Sequence, residues 1–313
     1  MKKSMKASLW GLAAAVVLIV VPLLLAAGYI FLYMEPALDD FAQWAKTLPR
    51  QTDMPVYTSD NLLCLPDGTS FIPENVLDEQ YDIRQKIDYS YPACIVGNEL
   101  YMVHTIRRGG ATDWCISAIR LDTREATLLY TWKDQSAVCN VKVYEDYRQR
   151  AAWYQDGTIY LNNQAKVLVY DIAQKSADTV PVQEFDFPER GAWAESADSG
   201  TDTLTIHMNG AERDVTLKGL AEDNPAIGEV IDRMLEKAGS GKHFVDPLSR
   251  VSLHTEDGNV WLLVRSVVYG SNPWMMFLRY DAQADQWLYA GCAHSWDGEP
   301  YDYYIVPVVD KLT

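Results

Sequence analysis

Apolar and polar positions along this chain recur in three similar blocks. In the first, "ACIV" (93–96) runs through Gly97 and Asn98 into "ELYMVHTI" (99–106); "WCISAIRL" (114–121), Asp122 and "ATLLYTW" (126–132) follow. In the second, "RAAWYQ" (150–155) turns at Asp156 and Gly157 into "TIYLNN" (158–163), followed by "AKVLVY" (165–170), Asp171 and "DTVPVQ" (178–183). In the third, "RVSLHTE" (250–256) turns at Asp257 and Gly258 into "NVWLLVRS" (259–266), then "WMMFLRY" (274–280), Asp281 and "QWLYAGC" (286–292). Short runs rich in Val, Ile, Tyr, Trp and Thr, punctuated by turn pairs, predict strands. Each block therefore predicts four strands and three turns. The turn glycines stand where a hairpin needs positive φ, and the Asp after the third strand can accept a bond from the backbone that follows it.

Between the second and third blocks lies a diverged unit. "DTLTIHMNGAERDVTL" (202–217) predicts a hairpin about Asn209 and Gly210. Beyond it the period changes to that of a helix inserted at about 223–239. Asp223 or Asn224 caps it, Pro225 starts it, and Ile227, Val230, Ile231, Met234 and Leu235 share its apolar face before Gly239 closes it. Upstream, "VYTSDNLLCLPDGTSFI" (56–72) predicts strands around Asp67 and Gly68, and residues 76–87 are charged without a clear period. The last apolar run, "YDYYIVPVV" (301–309), has two possible partners. It could fold back through Asp297 and Gly298 onto "LYAGCAH" (288–294), or join the N-terminal strands near 57–65. We expect the second, because repeated sheets need their ends joined if no edge is to be left bare.

The turn glycines are 60 (97 to 157), 53 (157 to 210) and 48 (210 to 258) residues apart. On this spacing and four-strand composition, residues 61–309 resemble the broad β-propeller superfamily, in the manner of its irregular exported members. The resemblance implies an all-β, propeller-like array of about five four-stranded units with one inserted amphipathic helix. It brings no "GH…WD" pair or other signature, so no functional residue is carried over. Two packed β-sandwiches are the structural alternative.

Residues 9–34 hold no charge, a run of 26 (9 to 34), and Lys2, Lys3 and Lys6 precede it. About 20 apolar residues span a bilayer, and lysines mark the cytoplasmic side. The expected organisation is a cytoplasmic basic tail (1–8), a transmembrane anchor (9–34), a juxtamembrane helix or stalk (35–55) and an extracytoplasmic domain (56–313). Leu38, Phe41, Trp44, Ala45 and Leu48 form one stripe of that stalk helix. A cleaved signal peptide is the competing reading; its apolar core would be shorter than this run.

Composition then narrows the function. Three of the 27 Lys/Arg precede the apolar run, leaving 24 against 43 Asp/Glu, a net −19 outside the membrane. Such a surface repels nucleic acid. Five cysteines (64, 94, 115, 139, 292) are too few and too scattered for a disulfide scaffold or a zinc site, and their apolar neighbours suit buried thiols. No metal or cofactor is expected. His104, His207, His243, His254 and His294 form no metal-binding or catalytic motif. Asp113, Asp156 and Asp257 are the best acid candidates, although turn chemistry also accounts for them. The aromatic-rich stretches "YGSNPWMMF" (269–277) and "HSWDGEPYDYY" (294–304) nominate Tyr269, Trp274, Trp296 and Tyr301 as ligand-binding rings; packing between sheets is the ordinary alternative. The expected function is a membrane-anchored extracytoplasmic binding, sensing or scaffold domain without catalysis, meeting a glycan or protein partner. The alternative is an exported carbohydrate-active hydrolase with a carboxylate pair about 5–10 Å apart.

Overall fold

The period-two runs fold as strands, and local turn chemistry sets where each ends. The structure, a computed structural model, describes residues 20–23, 44–59, 61–80, 86–108, 110–133, 147–188, 193–195, 203–208, 210–239, 251–256, 259–265, 274–294 and 304–309. Residues 50–313 form one compact unit and residues 1–49 another. Among the described residues no helix is long and apolar enough to cross a membrane. Nearly all of the 9–34 run lies outside them.

The strands come in chain order as β1 (Val56–Ser59), β2 (Leu62–Cys64) and β3 (Ser70–Phe71), then β4 (Lys86–Val96), β5 (Glu99–Arg108), β6 (Ala111–Arg120) and β7 (Ala126–Trp132). The second block gives β8 (Ala152–Gln155), β9 (Thr158–Asn162), β10 (Lys166–Asp171) and β11 (Ser176–Pro181). The diverged unit gives β12 (Trp193–Glu195), β13 (Thr203–Met208) and β14 (Ala211–Thr216). The third block gives β15 (Val251–Glu256), β16 (Asn259–Arg265), β17 (Trp274–Asp281) and β18 (Gln286–His294), and the chain closes with β19 (Tyr304–Val306) and β20 (Val308–Val309). They assemble into five small sheets among the described residues, ordered β19-β1-β2-β3, β20-β4-β5-β6-β7, β11-β10-β9-β8, β12-β13-β14 and β15-β16-β17-β18. The fold is thus all-β, with several small sheets inside a single compact unit and no closed barrel.

The last segment serves two sheets. β19 runs antiparallel to β1, pairing Val56 with Val306 and Thr58 with Tyr304. Pro307 then steps the chain across, and β20 runs parallel to β4. The Ile95 and Gly97 amides donate to the Pro307 and Val309 carbonyls at 2.8 and 2.9 Å. Proline lacks a donor but keeps its acceptor, which is what this crossing uses. The expected union of C-terminal and N-terminal strands is present, with an added pairing to the second sheet.

Alternation within the first sheet explains how sheets pack. Val56, Leu63, Tyr304 and Val306 enter one core together with residues of the second and third sheets. Tyr57 and Ile305, next in sequence, face the opposite way and join Trp261, Leu263, Met275 and Phe277 of the fifth sheet. Tyr57 and Phe277 meet at 4.7 Å between ring centroids. The first strands also neighbour one another, β4 beside β8, β12 beside β15, β15 beside β19, and β19 beside β4. Arg124 lies 3.6 Å over the Phe71 ring, and Arg213 reaches Asp285 at 2.6 Å, linking first to second and fourth to fifth sheets.

The turns carry one correction. Asp171 accepts from the Gln174 amide at 2.8 Å, and Asp281 from Gln283 at 2.9 Å, as expected. In each block the fourth residue past the third strand's end has positive φ: Lys175 at 51°, Asp285 at 55° and Arg124 at 60°. That places Arg120, not Asp122, at the position of Asp171 and Asp281. Asp122 lies inside the turn, where it pairs with Arg120 at 2.8 Å and accepts from the Thr123 amide at 2.8 Å.

Three helices of the compact unit are described. α1 (Pro73–Gln80) takes in the start of the 76–87 stretch without a clear period, β4 takes its end, and residues 81–85 lie outside the described residues. α2 (Leu217–Asp223) is capped by Thr216, whose hydroxyl accepts from the Gly219 amide at 2.9 Å. α3 (Pro225–Gly239) is the expected helix, and Ile227, Val230 and Ile231 are buried on its face as predicted. The insertion thus starts earlier than 223, at Leu217. Residues 50–55, assigned to the stalk, belong to the compact unit. The Gln51 amide donates to the Tyr289 carbonyl at 2.8 Å. Met54 packs over Gly291, where φ is +150° and a Cβ would lie 2.6 Å from the Met54 sulfur.

Candidate functional site

Of the aromatics nominated from the sequence, Tyr269, Trp296 and Tyr301 lie outside the described residues. Trp274 opens β17, with its backbone opposite His294 of β18. Asp113 is buried on β6, Asp156 is exposed in the β8–β9 turn with φ 48°, and Asp257 lies outside the described residues. No trio of His, Cys, Asp or Glu stands close enough to hold a metal among the described residues. None of Cys64, Cys94, Cys115 and Cys292 is in a disulfide. Burial pushes the Cys292 thiol up to about 12, which leaves it protonated and unreactive at neutral pH.

A serine and a histidine do meet. His104 Nε2 and Ser117 Oγ lie 2.9 Å apart, and both residues are fully buried. The pair resembles a nucleophile and its base, but a nucleophile has to reach its substrate, and these side chains sit inside the second sheet. Their role is to hold the sheet. Burial pushes the imidazole pKa down to about 4, against an unfolded value near 6.5. Because the folded pKa is the lower one, the neutral ring stabilises the fold fully above about pH 6.5, and that contribution is lost as pH falls through 4. The loss should reach roughly 3 kcal/mol. Denaturant titrations between pH 7 and 4 should lose this slope in His104→Leu; an unchanged slope would refute the assignment.

The arrangement with binding chemistry lies on the second block. Trp153, on β8, is fully buried, on the sheet face opposite to Tyr154, which enters the main core. Its cross-strand partner is Tyr160 of β9, and the two rings stack at 5.0 Å with planes 8° apart. After β11 the chain turns back, the Glu184 amide donating to the Pro181 carbonyl at 2.9 Å. This brings Phe185 and Phe187 to 6.1 and 6.0 Å from the indole. The two phenylalanines meet edge to face at 4.8 Å, and Tyr147 closes the cluster at 5.7 Å from the indole. Tyr147, Tyr160, Phe185 and Phe187 are each half-buried.

Positive charge borders these rings. The Arg148 guanidinium lies 5.7 Å over Phe187 and that of Arg150 4.4 Å over Tyr147, distances at which a cation is attracted to a ring face. Arg148 is exposed and Arg150 buried. Asn162 donates from Nδ2 to the Arg148 carbonyl at 3.1 Å, fixing the arginine segment to β9. Within the cluster the Trp153 Nε1–H is buried and has no acceptor among the described residues. Trp114 has the same feature, but sits in the main core, edge to face with Tyr89 at 5.4 Å.

Sequence reading missed this cluster because it weighed rings gathered beside turns, whereas Trp153 and Tyr160 stand within regular strands of the second block. The signal available was "RQRAAW" (148–153) with "FDF" (185–187), cations and rings that only the fold brings together. No protein-family model matches the chain and no curated protein matches it, so the chemistry of this cluster has to be argued from its own residues.

Proposed function

We propose that the chain is a five-bladed propeller carried outside the cell membrane by the uncharged 9–34 run as its anchor, and that it works as a binding or scaffold platform and not as an enzyme. The observation that supports it best is the final segment: β19 completes the sheet begun by β1, and β20 joins β4. Closure of that kind removes bare edges and makes a rigid frame whose loops and side surfaces meet partners. The half-buried rings around Trp153, with the exposed Arg148 beside them, supply one such surface, and the uncharged run with its preceding lysines supplies the tether.

Protease added to intact cells or spheroplasts should digest nearly the whole chain. Protection of residues 57–313 would overturn the topology. Hydrolysis of a glycan by the purified chain would overturn the non-catalytic assignment.

A further inference from the structure

Residues 50–56 form a strap from the fifth sheet to the first. The Gln51 amide donates to the Tyr289 carbonyl and the Tyr289 amide donates to Gln51 Oε1, both on β18, and Val56 then opens β1. Between these anchors the Met54 thioether lies on the backbone of Gly291. A Cβ built there would stand 2.6 Å from Met54 Sδ and 3.2 Å from its Cγ, so the sulfur fills the space that glycine leaves. Met54 also packs against the core that holds Tyr57, Phe277 and Ile305. It differs from the other methionines whose side chains are described. Met102, Met208, Met275 and Met276 are buried, whereas Met54 is half-buried.

We propose that Met54 is an oxidation site, and that conversion of its thioether to the sulfoxide by a peroxide weakens the strap's hold on β18. A sulfur lone pair attacks one peroxide oxygen. The O–O bond breaks, an S–O bond forms and a proton shift releases water, so sulfur loses the two electrons that the peroxide gains. The product is a polar group at an apolar contact, with one more heavy atom where the glycine backbone leaves no spare room. The exposed Arg50, whose Nε approaches the same point over Gly291 at 3.6 Å, offers donors at the surface and draws the sulfoxide oxygen off the core. Gln51 shares the strap, so its bonds to Tyr289 and Asn224 weaken with it. The site is independent of what the domain binds.

The test treats the full chain in detergent micelles with hydrogen peroxide and follows the methionines by peptide mass spectrometry. Met54 should oxidise about tenfold or more faster than Met102, Met208, Met275 and Met276, because a thioether has to meet its oxidant. The oxidised chain should unfold about 3 °C or more below the untreated one, and methionine sulfoxide reductase should restore the midpoint. Met54→Leu keeps an apolar contact without sulfur and should lose most of the peroxide shift. Met54→Gln, polar and of similar length, should lower the midpoint with no peroxide present. Oxidation of Met54 no faster than that of the buried four overturns the proposal. So does a midpoint that stays in place once Met54 is oxidised, or a peroxide shift of equal size in Met54→Leu.

Discussion

Deleting residues 303–313 should abolish the folded state of residues 50–313 and leave a chain that protease degrades without a resistant core. Tyr304, Ile305 and Val306 are 5%, 2% and 2% exposed, and each contributes to one of two cores. Burying three such side chains stabilises by roughly 5–9 kcal/mol, comparable with the whole stability of a typical domain. The deletion also bares the backbone edges of β1 and β4, which aggregate when unpaired. Val306→Asp tests the same point without truncation. It places a charge opposite Val56 inside the apolar core and should lower stability by several kcal/mol. If the truncated chain melts as cooperatively and as high as the intact one, closure by this segment is dispensable and the ring reading fails.

Asn224→Ala should cost about 3 kcal/mol, measured by denaturant unfolding. This buried amide lies where α2 passes into α3. Nδ2 donates to Gln51 Oε1 at 2.6 Å and to the Trp287 carbonyl at 2.9 Å. Oδ1 accepts from the Ala226 amide at 3.1 Å and from Gln51 Nε2 at 3.3 Å. Gln51 Oε1 also takes the Tyr289 amide at 2.9 Å. One reciprocal amide pair therefore fastens the entry segment and the helical insertion to β18. Asn224→Asp keeps the shape and removes the donor, setting a carboxylate oxygen against two acceptors, and should cost at least as much as Ala. Gln51→Ala combined with Asn224→Ala should fall short of additivity by about 1 kcal/mol or more. Full additivity would mean the two amides act independently.

Asn224 also illustrates how far sequence reached. As a helix cap before Pro225 it is legible, because a cap needs only its own neighbours, and the Ala226 amide is bound as that reading requires. Its bonds to Gln51 and Trp287 span 173 and 63 residues and have no local signature. The same holds for the candidate site. Trp153 and Tyr160 are visible as strand residues, but their stacking, the return of Phe185 and Phe187, and the orphaned indole donor depend on register and on a folded-back segment.

What the sequence by itself determined is the local grammar: period-two runs for strands, Gly and Asp turns between them, the 3.6-residue period of α3, and the uncharged 9–34 run. These follow from φ/ψ preferences and side-chain periodicity within a few residues. Tertiary structure decided the rest. It chose β1 over β18 as the partner of β19, because completing the first sheet buries both faces of the strand at once. It moved the equivalence from Asp122 to Arg120, because the pairing of Glu99 with Arg120, not composition, sets where the third strand ends. Long-range pairings of this kind are settled by which arrangement buries the most apolar surface with every backbone group bonded, and no single stretch of sequence carries that sum.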